Sequence, residues 1–364
     1  MKRIVLFLVF CLASVACCFG QNVRSWTAGP LTWDDFSPAK LERADTSATS
    51  YASFSLIRKD KTVRTKGVTY MYRDVTAALV PVQSWVKPEG RNDQALRNHQ
   101  QEFDILQYFA TLYRDDFMFY NDTLLYRYED YFGNESKHRL LETVYMAKFK
   151  DAVAEFRRTG DASAYPVSRE PFDITRFPFQ VAPEALEAHI GFVSIFPTGD
   201  LARIYSPAHG FYTGFGYREG KDYFSADLSL SLAGALISGF DARDGSEFTA
   251  TAAACLGFSA KYGRVLFSPW GTSLSVFAGV GYTSWVLTAP ETVKGATLTE
   301  GICLDVPLHS TVNFLARRPR VQNLALQFKV YADEMYQAAQ KIFVPTINVS
   351  AGLNIGYRKI SKVR

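Results

Sequence analysis

The sequence predicts two domains of different class. An α+β N-terminal domain, a small sheet with two helices, precedes an all-β eight-stranded antiparallel membrane barrel. Three observations predict this. Helical apolar periodicity is confined to residues 94–158. From Glu184 onward, apolar residues alternate with small polar ones, in stretches of about 10 residues, the length that crosses a bilayer at a tilt. The chain also opens with the layout of a secretion signal.

In that signal, Lys2 and Arg3 form a basic start, and Ile4 to Ala16 an apolar run too short to span a bilayer. Small residues follow, ending in CCFGQ, and cleavage is expected after Gly20, so residues 1–20 are a signal peptide. The competing lipoprotein reading acylates Cys17 or Cys18. It places Ser14 where a large aliphatic residue is expected. Cleavage removes Cys11, Cys17 and Cys18, leaving Cys255 and Cys303 and no disulfide framework. No later segment offers the roughly 18 uninterrupted apolar residues of a membrane-spanning helix. The 364 residues are 48% hydrophobic and 21% charged, which predicts a folded chain. A net charge of +4 with scattered Lys and Arg argues against a nucleic-acid partner.

Residues 21–160 form the predicted periplasmic α+β domain. WTAGPLTWDDFSP reads as a docked strand and loop. Ala48–Lys59, Val63–Arg73 and Val75–Val86 read as three strands of one sheet. Asp93 is the expected N-cap of a helix over Gln94–Phe117, and a second helix runs from Ser136 to Arg158. Tyr120 to Asn134 read as an irregular connection, and residues 161–183 as a Pro-rich linker.

The barrel occupies residues 184–364. Its eight strands are expected at Leu186–Phe196, Ala208–Arg218, Phe224–Leu236, Phe248–Lys261, Ser273–Leu287, Thr297–Leu308, Leu324–Asp333 and Thr346–Arg358. A soluble barrel would turn a Lys- and Glu-rich face to water. Here the polar face is mostly small (Thr249, Thr251, Ala253, Cys255, Gly257, Ser259) and suits a crowded interior. Its few charges, Glu187, Asp227, Asp305, Lys329, Asp333 and Arg358, are of both signs and form a candidate lumen network. The apolar face carries Phe192, Phe196, Phe211, Phe224, Phe248, Tyr282 and Tyr357, similar to the aromatic girdles of membrane barrels. An eight-stranded barrel is filled by side chains, so the expected role is anchor or scaffold. Cys255 on the fourth strand and Cys303 on the sixth lie too far apart around the wall for a disulfide, so both are expected to be free thiols.

LTWDDF, then SWV, then a helix containing FDI, resembles a family of secreted bacterial zinc proteases whose helix reads H-E-Q-x-H-F-D-I. The resemblance runs over Trp26 to Arg158 and is tighter at Val75–Gln107. It implies a helix with two zinc-binding His residues at i and i+4 and a Glu that activates the bound water. Aligned on Phe103-Asp104-Ile105, those positions hold Asn98, His99 and Glu102. An amide and one carboxylate do not replace two imidazoles, so the motif is degenerate and zinc hydrolysis is not expected. No cofactor or metal is expected. A new site of His99 and Glu102 at i and i+3, with His138 as a third ligand, competes with an ordinary hydrogen-bonded pair. Asp34 and Asp35 read as a turn before they read as a calcium site. The aromatics of Tyr108–Tyr131 read as packing. His189, on the polar face, has an ordinary role.

The expectation is a non-enzymatic outer-membrane protein with the bilayer as its partner. Its periplasmic module would hold a peptide, a cell-wall element or a protein. The alternatives are a periplasmic metallohydrolase with an atypical site and a wholly soluble periplasmic β-barrel binding protein.

Overall fold

The structure, a computed structural model, describes residues 23–38, 47–119, 133–199, 202, 205–235, 238–240, 247–249, 253–287, 292–316, 318–337 and 342–363. Residues 1–20, expected to be a signal peptide, lie outside the described residues, as do Thr251 and most of Tyr120–Asn134. The chain divides into two compact units, Met1–Lys61 with Tyr72–Ile174, and Thr62–Met71 with Thr175–Arg364.

The first unit begins with β1 (Arg24–Ser25), β2 (Ser37–Pro38) and β3 (Ser50–Tyr51), followed by β4 (Phe54–Thr65), β5 (Val68–Leu79) and β6 (Trp85–Val86). Two long helices complete it, α1 (Asp93–Phe119) and α2 (Gly133–Thr159). β4 and β5 form a hairpin that turns at Lys66 and Gly67, whose φ angles are 48° and 77°. Positive φ at both central residues matches the right-handed twist of the flanking strands.

The expected third strand, Val75–Val86, does not exist as one element. β5 runs on to Leu79, and β6 joins β2 and β3 in a separate three-stranded sheet. The pair Arg73-Asp74 suggested a break between strands. Instead, both charges are paired across the hairpin, Arg73 with Asp60 and Lys61 with Asp74 at 2.6 Å.

The cap of α1 is Asn92, not Asp93: its Oδ1 accepts the Ala95 amide at 2.9 Å. α2 ends where Gly160, at φ 73°, donates its amide to the Phe156 carbonyl at 2.7 Å. The core of this unit joins Phe103, Ile105, Leu106 and Tyr113 of α1 to Val75, Ala77 and Leu79 of β5 and to Tyr145, Phe149 and Val153 of α2.

The second unit is an eight-stranded antiparallel barrel. Its strands are β7 (Phe179–Pro197), β8 (Tyr205–Glu219), β9 (Asp222–Ala235), β12 (Ala253–Phe267), β13 (Ser273–Leu287), β14 (Thr292–Asn313), β15 (Arg320–Gln337) and β16 (Ile342–Lys362). β10 (Ser238–Phe240) and β11 (Glu247–Thr249) pair only with each other, so the fourth wall strand starts at Ala253 rather than at Phe248. Around the wall the order is β14, β13, β12, β9, β8, β7, β16, β15, and β15 pairs back to β14 to close it. Beyond Ser273, where β13 begins, Ser310–Asn313 of β14 pair in parallel with Val68–Met71. The tip of the β4–β5 hairpin therefore belongs to the barrel unit.

Strand alternation places the apolar face outward. Leu186 and Phe192 are each 65% exposed, and Leu230 is 51% exposed. The same face carries Phe215, Leu232, Leu256, Val280, Leu298, Ile302, Val330 and Val349. Outward aromatics sit side by side on neighbouring strands. Tyr262, Phe224 and Tyr217 occupy one register row, and Phe192 and Phe211 pair with centroids 4.7 Å apart. On β7 the outward residues run from Leu186, in register with Tyr217, to Phe196. That is about 33 Å of strand at about 3.3 Å per residue. At a tilt near 40° it spans about 25 Å, the height of a lipid-facing band.

The inward face is filled. Toward the β13 C-terminus, Trp285, Tyr205, Tyr212, Met335 and Cys255 form a buried cluster. Tyr223, Phe277 and Cys303 form another, with Tyr331 against it. Both cysteines are free and buried, and β13 separates their strands. The bulky groups need small neighbours. A Cβ on Gly214 would collide with the His189 imidazole and the Asp227 carboxylate, and would lie 2.5 Å from the Ala226 carbonyl oxygen. Gly214→Ala is expected to destabilise the barrel by about 1–3 kcal/mol through overpacking. Urea unfolding in detergent, followed by gel mobility, checks this.

Candidate functional site

Two clusters carry the charged side chains of interest, one in each unit. In the barrel, Asp227 accepts Lys261 Nζ at 2.8 Å, Lys329 Nζ at 3.3 Å and the His189 imidazole. All four side chains are buried. A second group lies nearer the start of β7. Arg218 bridges Glu187 at 2.6 Å and Asp305 at 3.2 Å, and Asp305 also accepts Gln327 Nε2 at 2.9 Å. Asn354 Nδ2 donates to Glu187 at 3.3 Å. Asp333 accepts hydrogen bonds from Thr299 and from Asn348, the latter at 2.9 Å.

Of the six residues read as one lumen network, the structure pairs Asp227 with Lys329, and Glu187 with Asp305 through Arg218. Asp333 is held by neutral donors. Arg358 stays outside both ion-pair groups: its Nε is buried with no hydrogen-bond partner among the described residues. Sequence reading missed Arg218, Lys261 and the bonding of His189. The signal was there, since Lys261 shares parity with Cys255, Gly257 and Ser259 on β12. The space beside Asp227, Lys261 and Lys329 measures about 30 Å³, room for one or two waters. The lumen is thus a packed polar core.

In the N-terminal unit, the degenerate motif lies on the first half of α1. Phe103 and Ile105 are fully buried in the core. Asp104 accepts Trp26 Nε1 at 2.6 Å and Gln100 Nε2 at 2.7 Å, so FDI ties the helix to the chain start. Asp104→Ala is expected to cost about 1–3 kcal/mol, because the buried indole N–H loses its acceptor. Chemical denaturation read by Trp fluorescence measures it.

Asn98 is exposed, and its Oδ1 accepts Gln94 Nε2 at 3.0 Å. Glu102 is buried and bonded to Arg157 Nε at 2.6 Å. Burial opposes the charge on Glu102, but the neighbouring His99 and Arg157 outweigh it and hold the carboxyl below its usual range. His99 Nε2 meets Ser50 Oγ at 2.9 Å, and its Nδ1 lies 3.6 Å from Glu102 Oε2. Trp33 and Phe36 flank the ring.

These donors do not fit the zinc that the resemblance implies. One would-be ligand faces solvent and the other is engaged by a guanidinium. His138 cannot complete a site with His99. It is stacked on Phe117 and bonded to Tyr113, and Tyr113 lies fourteen residues along α1 from His99, ~21 Å at 1.5 Å per residue. Burial and the nearby Arg73 push the His138 imidazole down to about 3, so it stays neutral. Asp35 forms the expected turn: it accepts the Thr32 amide at 2.8 Å and pairs with Arg24 at 2.7 Å.

No protein-family model matches the chain, and no curated protein matches it. Among solved structures it is similar to Neisserial surface protein A, at 11% identity over 48% of this chain and 98% of that one, with a TM-score of 0.30. It is similar to the attachment invasion locus protein Ail of Yersinia pestis, at 13% identity over 49% of this chain and 99% of that one, TM-score 0.28. It is also similar to the outer membrane protein OprG of Pseudomonas aeruginosa, at 11% identity over 52% of this chain and 100% of that one, TM-score 0.26.

Proposed function

We propose that the chain is an outer-membrane protein in which the barrel is the anchor and the N-terminal unit is a periplasmic module. The module would hold a peptide, a cell-wall element or a partner protein, without the zinc chemistry of the family it resembles. The observation that carries this is the direction of the apolar face. Leu186, Phe192, Phe215, Leu230, Leu232 and Val280 all point away from the barrel centre, while Asp227, Lys261, Arg218 and Asp305 point in. Leaving such side chains in water forgoes about 1.5–3 kcal/mol each. Summed over the band, that exceeds the ~5–15 kcal/mol net stability of an ordinary domain. Lipid removes the penalty, and a closed barrel leaves no backbone group unpaired in it. The packed lumen supports an anchor over a pore.

Fractionation of cells expressing the full chain tests this. The protein should remain in the outer-membrane fraction after carbonate washing, and its gel mobility should shift on boiling. Recovery in the soluble periplasmic fraction without detergent would overturn the reading.

A further inference from the structure

Ser50, His99 and Glu102 form an arrangement that the loss of zinc ligands does not explain. His99 is only 9% exposed. Its Nε2 is 2.9 Å from the Ser50 hydroxyl. Its buried Nδ1 has no hydrogen-bond partner among the described residues, and Glu102 Oε2 lies 3.6 Å from it. Glu102 is fixed by Arg157. A hydroxyl on a ring nitrogen, with a carboxylate beside the other nitrogen, is the layout of an activated serine. Hydrogen bonds of this kind are often long before substrate binds.

The backbone supplies a fourth group. β3 is an edge strand, paired only with β6. Lys87 donates its amide to the Thr49 carbonyl at 2.8 Å, and Ser50 is in register with Val86. Thr49 and Lys87 are therefore the hydrogen-bonded pair, and the next residue turns its N–H and C=O away from β6. The Ser50 amide thus points to the open edge, and no described residue accepts it. A nucleophile's own amide is one of the donors that stabilise an oxyanion. Gly90 lets the chain approach here, since a Cβ on it would lie 2.5 Å from the Thr49 carbonyl oxygen.

We propose that Ser50 and His99 are the reacting groups of an acyl-transfer centre, with Glu102 as a positioning residue, acting on a carboxylic ester or peptide carbonyl. Ser50 Oγ bonds to the carbonyl carbon while His99 Nε2 takes the hydroxyl proton. Glu102 steadies the imidazolium at Nδ1–H, and the Ser50 amide faces the developing oxyanion. The carbonyl–heteroatom bond then breaks, and His99 returns the proton to the departing alcohol or amine. Water attacks the acyl-serine with His99 as base, releasing the acid and restoring Ser50. This deepens the binding role proposed for the module and rests on that part of the reading. It is independent of where the barrel resides.

The test treats the purified full-length protein, in detergent, with a fluorophosphonate, followed by mass mapping of the labelled peptide. Stoichiometric phosphonylation at Ser50 is expected. His99→Asn should slow it at least 100-fold. Glu102→Gln should slow it about 10-fold with the serine intact. Ser50→Ala should abolish labelling. Mapping on the unaltered protein needs no variant to fold. No label at Ser50, or a rate unmoved by His99→Asn in a protein of unchanged circular dichroism, would overturn the proposal. Fractionation is read separately, so failure of either claim leaves the other measurable.

Discussion

Leu230→Arg is expected to destabilise the barrel by about 2–4 kcal/mol in a bilayer, the cost of a cation on the lipid face near mid-depth. Leu230 lies well inside β9 and outward, in register with Phe211 on one side and Leu256 on the other. Nothing in the lumen changes, because the replaced side chain points away from it. In water the same substitution would be nearly neutral, since exposed sites usually tolerate change within about 0.5 kcal/mol. Unfolding in lipid vesicles by guanidinium, read by gel mobility, gives the difference. A loss under about 0.5 kcal/mol would mean that Leu230 does not meet lipid. Leu230→Ala is the control, with a smaller loss that tracks apolar area.

The second large effect belongs to the lumen. Asp227→Ala should cost about 3–5 kcal/mol, because it strips the shared carboxylate from two buried ammonium groups and leaves them uncompensated. Lys261 and Lys329 both reach this carboxylate, and His189 hydrogen-bonds to it. Removing one charge is worse than removing a matched set. Combining Asp227→Ala with Lys261→Met should recover part of the loss, giving a non-additive cycle. Urea unfolding of the three variants measures it. Strict additivity would show that these side chains do not act as a unit.

Much of this was legible from the residues. Alternation in the C-terminal half reported every wall strand, because a side-chain period of 2 with one apolar side leaves a regular trace. The same parity placed Asp227, Asp305 and Lys329 on the inner face. Reading failed where a charge looked like a terminus. Arg218 and Lys261 were treated as strand ends, yet both stay on the inward parity and carry the ion pairs. The expected strands were separated at Asp74, whereas β5 runs through it and the hairpin pairs Arg73 and Asp74 with Asp60 and Lys61. Inward aromatics such as Trp285 and Tyr212 were masked by their own apolarity; the small residues around them, Gly191 and Gly352 beside Tyr212, were the available clue. Ser50 was not legible at all. Its partner lies 49 residues away, and a two-residue edge strand has no periodicity to read. The degenerate motif drew attention to His99 and Glu102, but only the fold brings a hydroxyl to the imidazole.

The central claim is that lipid touches the leucine-rich side of the barrel. Nitroxide labels at Leu228, Ala226, Leu230 and Leu232, all outward on β9, test it most directly in reconstituted vesicles. High collision rates with oxygen and low rates with a water-soluble nickel chelate are expected, with the contrast greatest near Leu230. Ready access of the nickel chelate to Leu230 would contradict it.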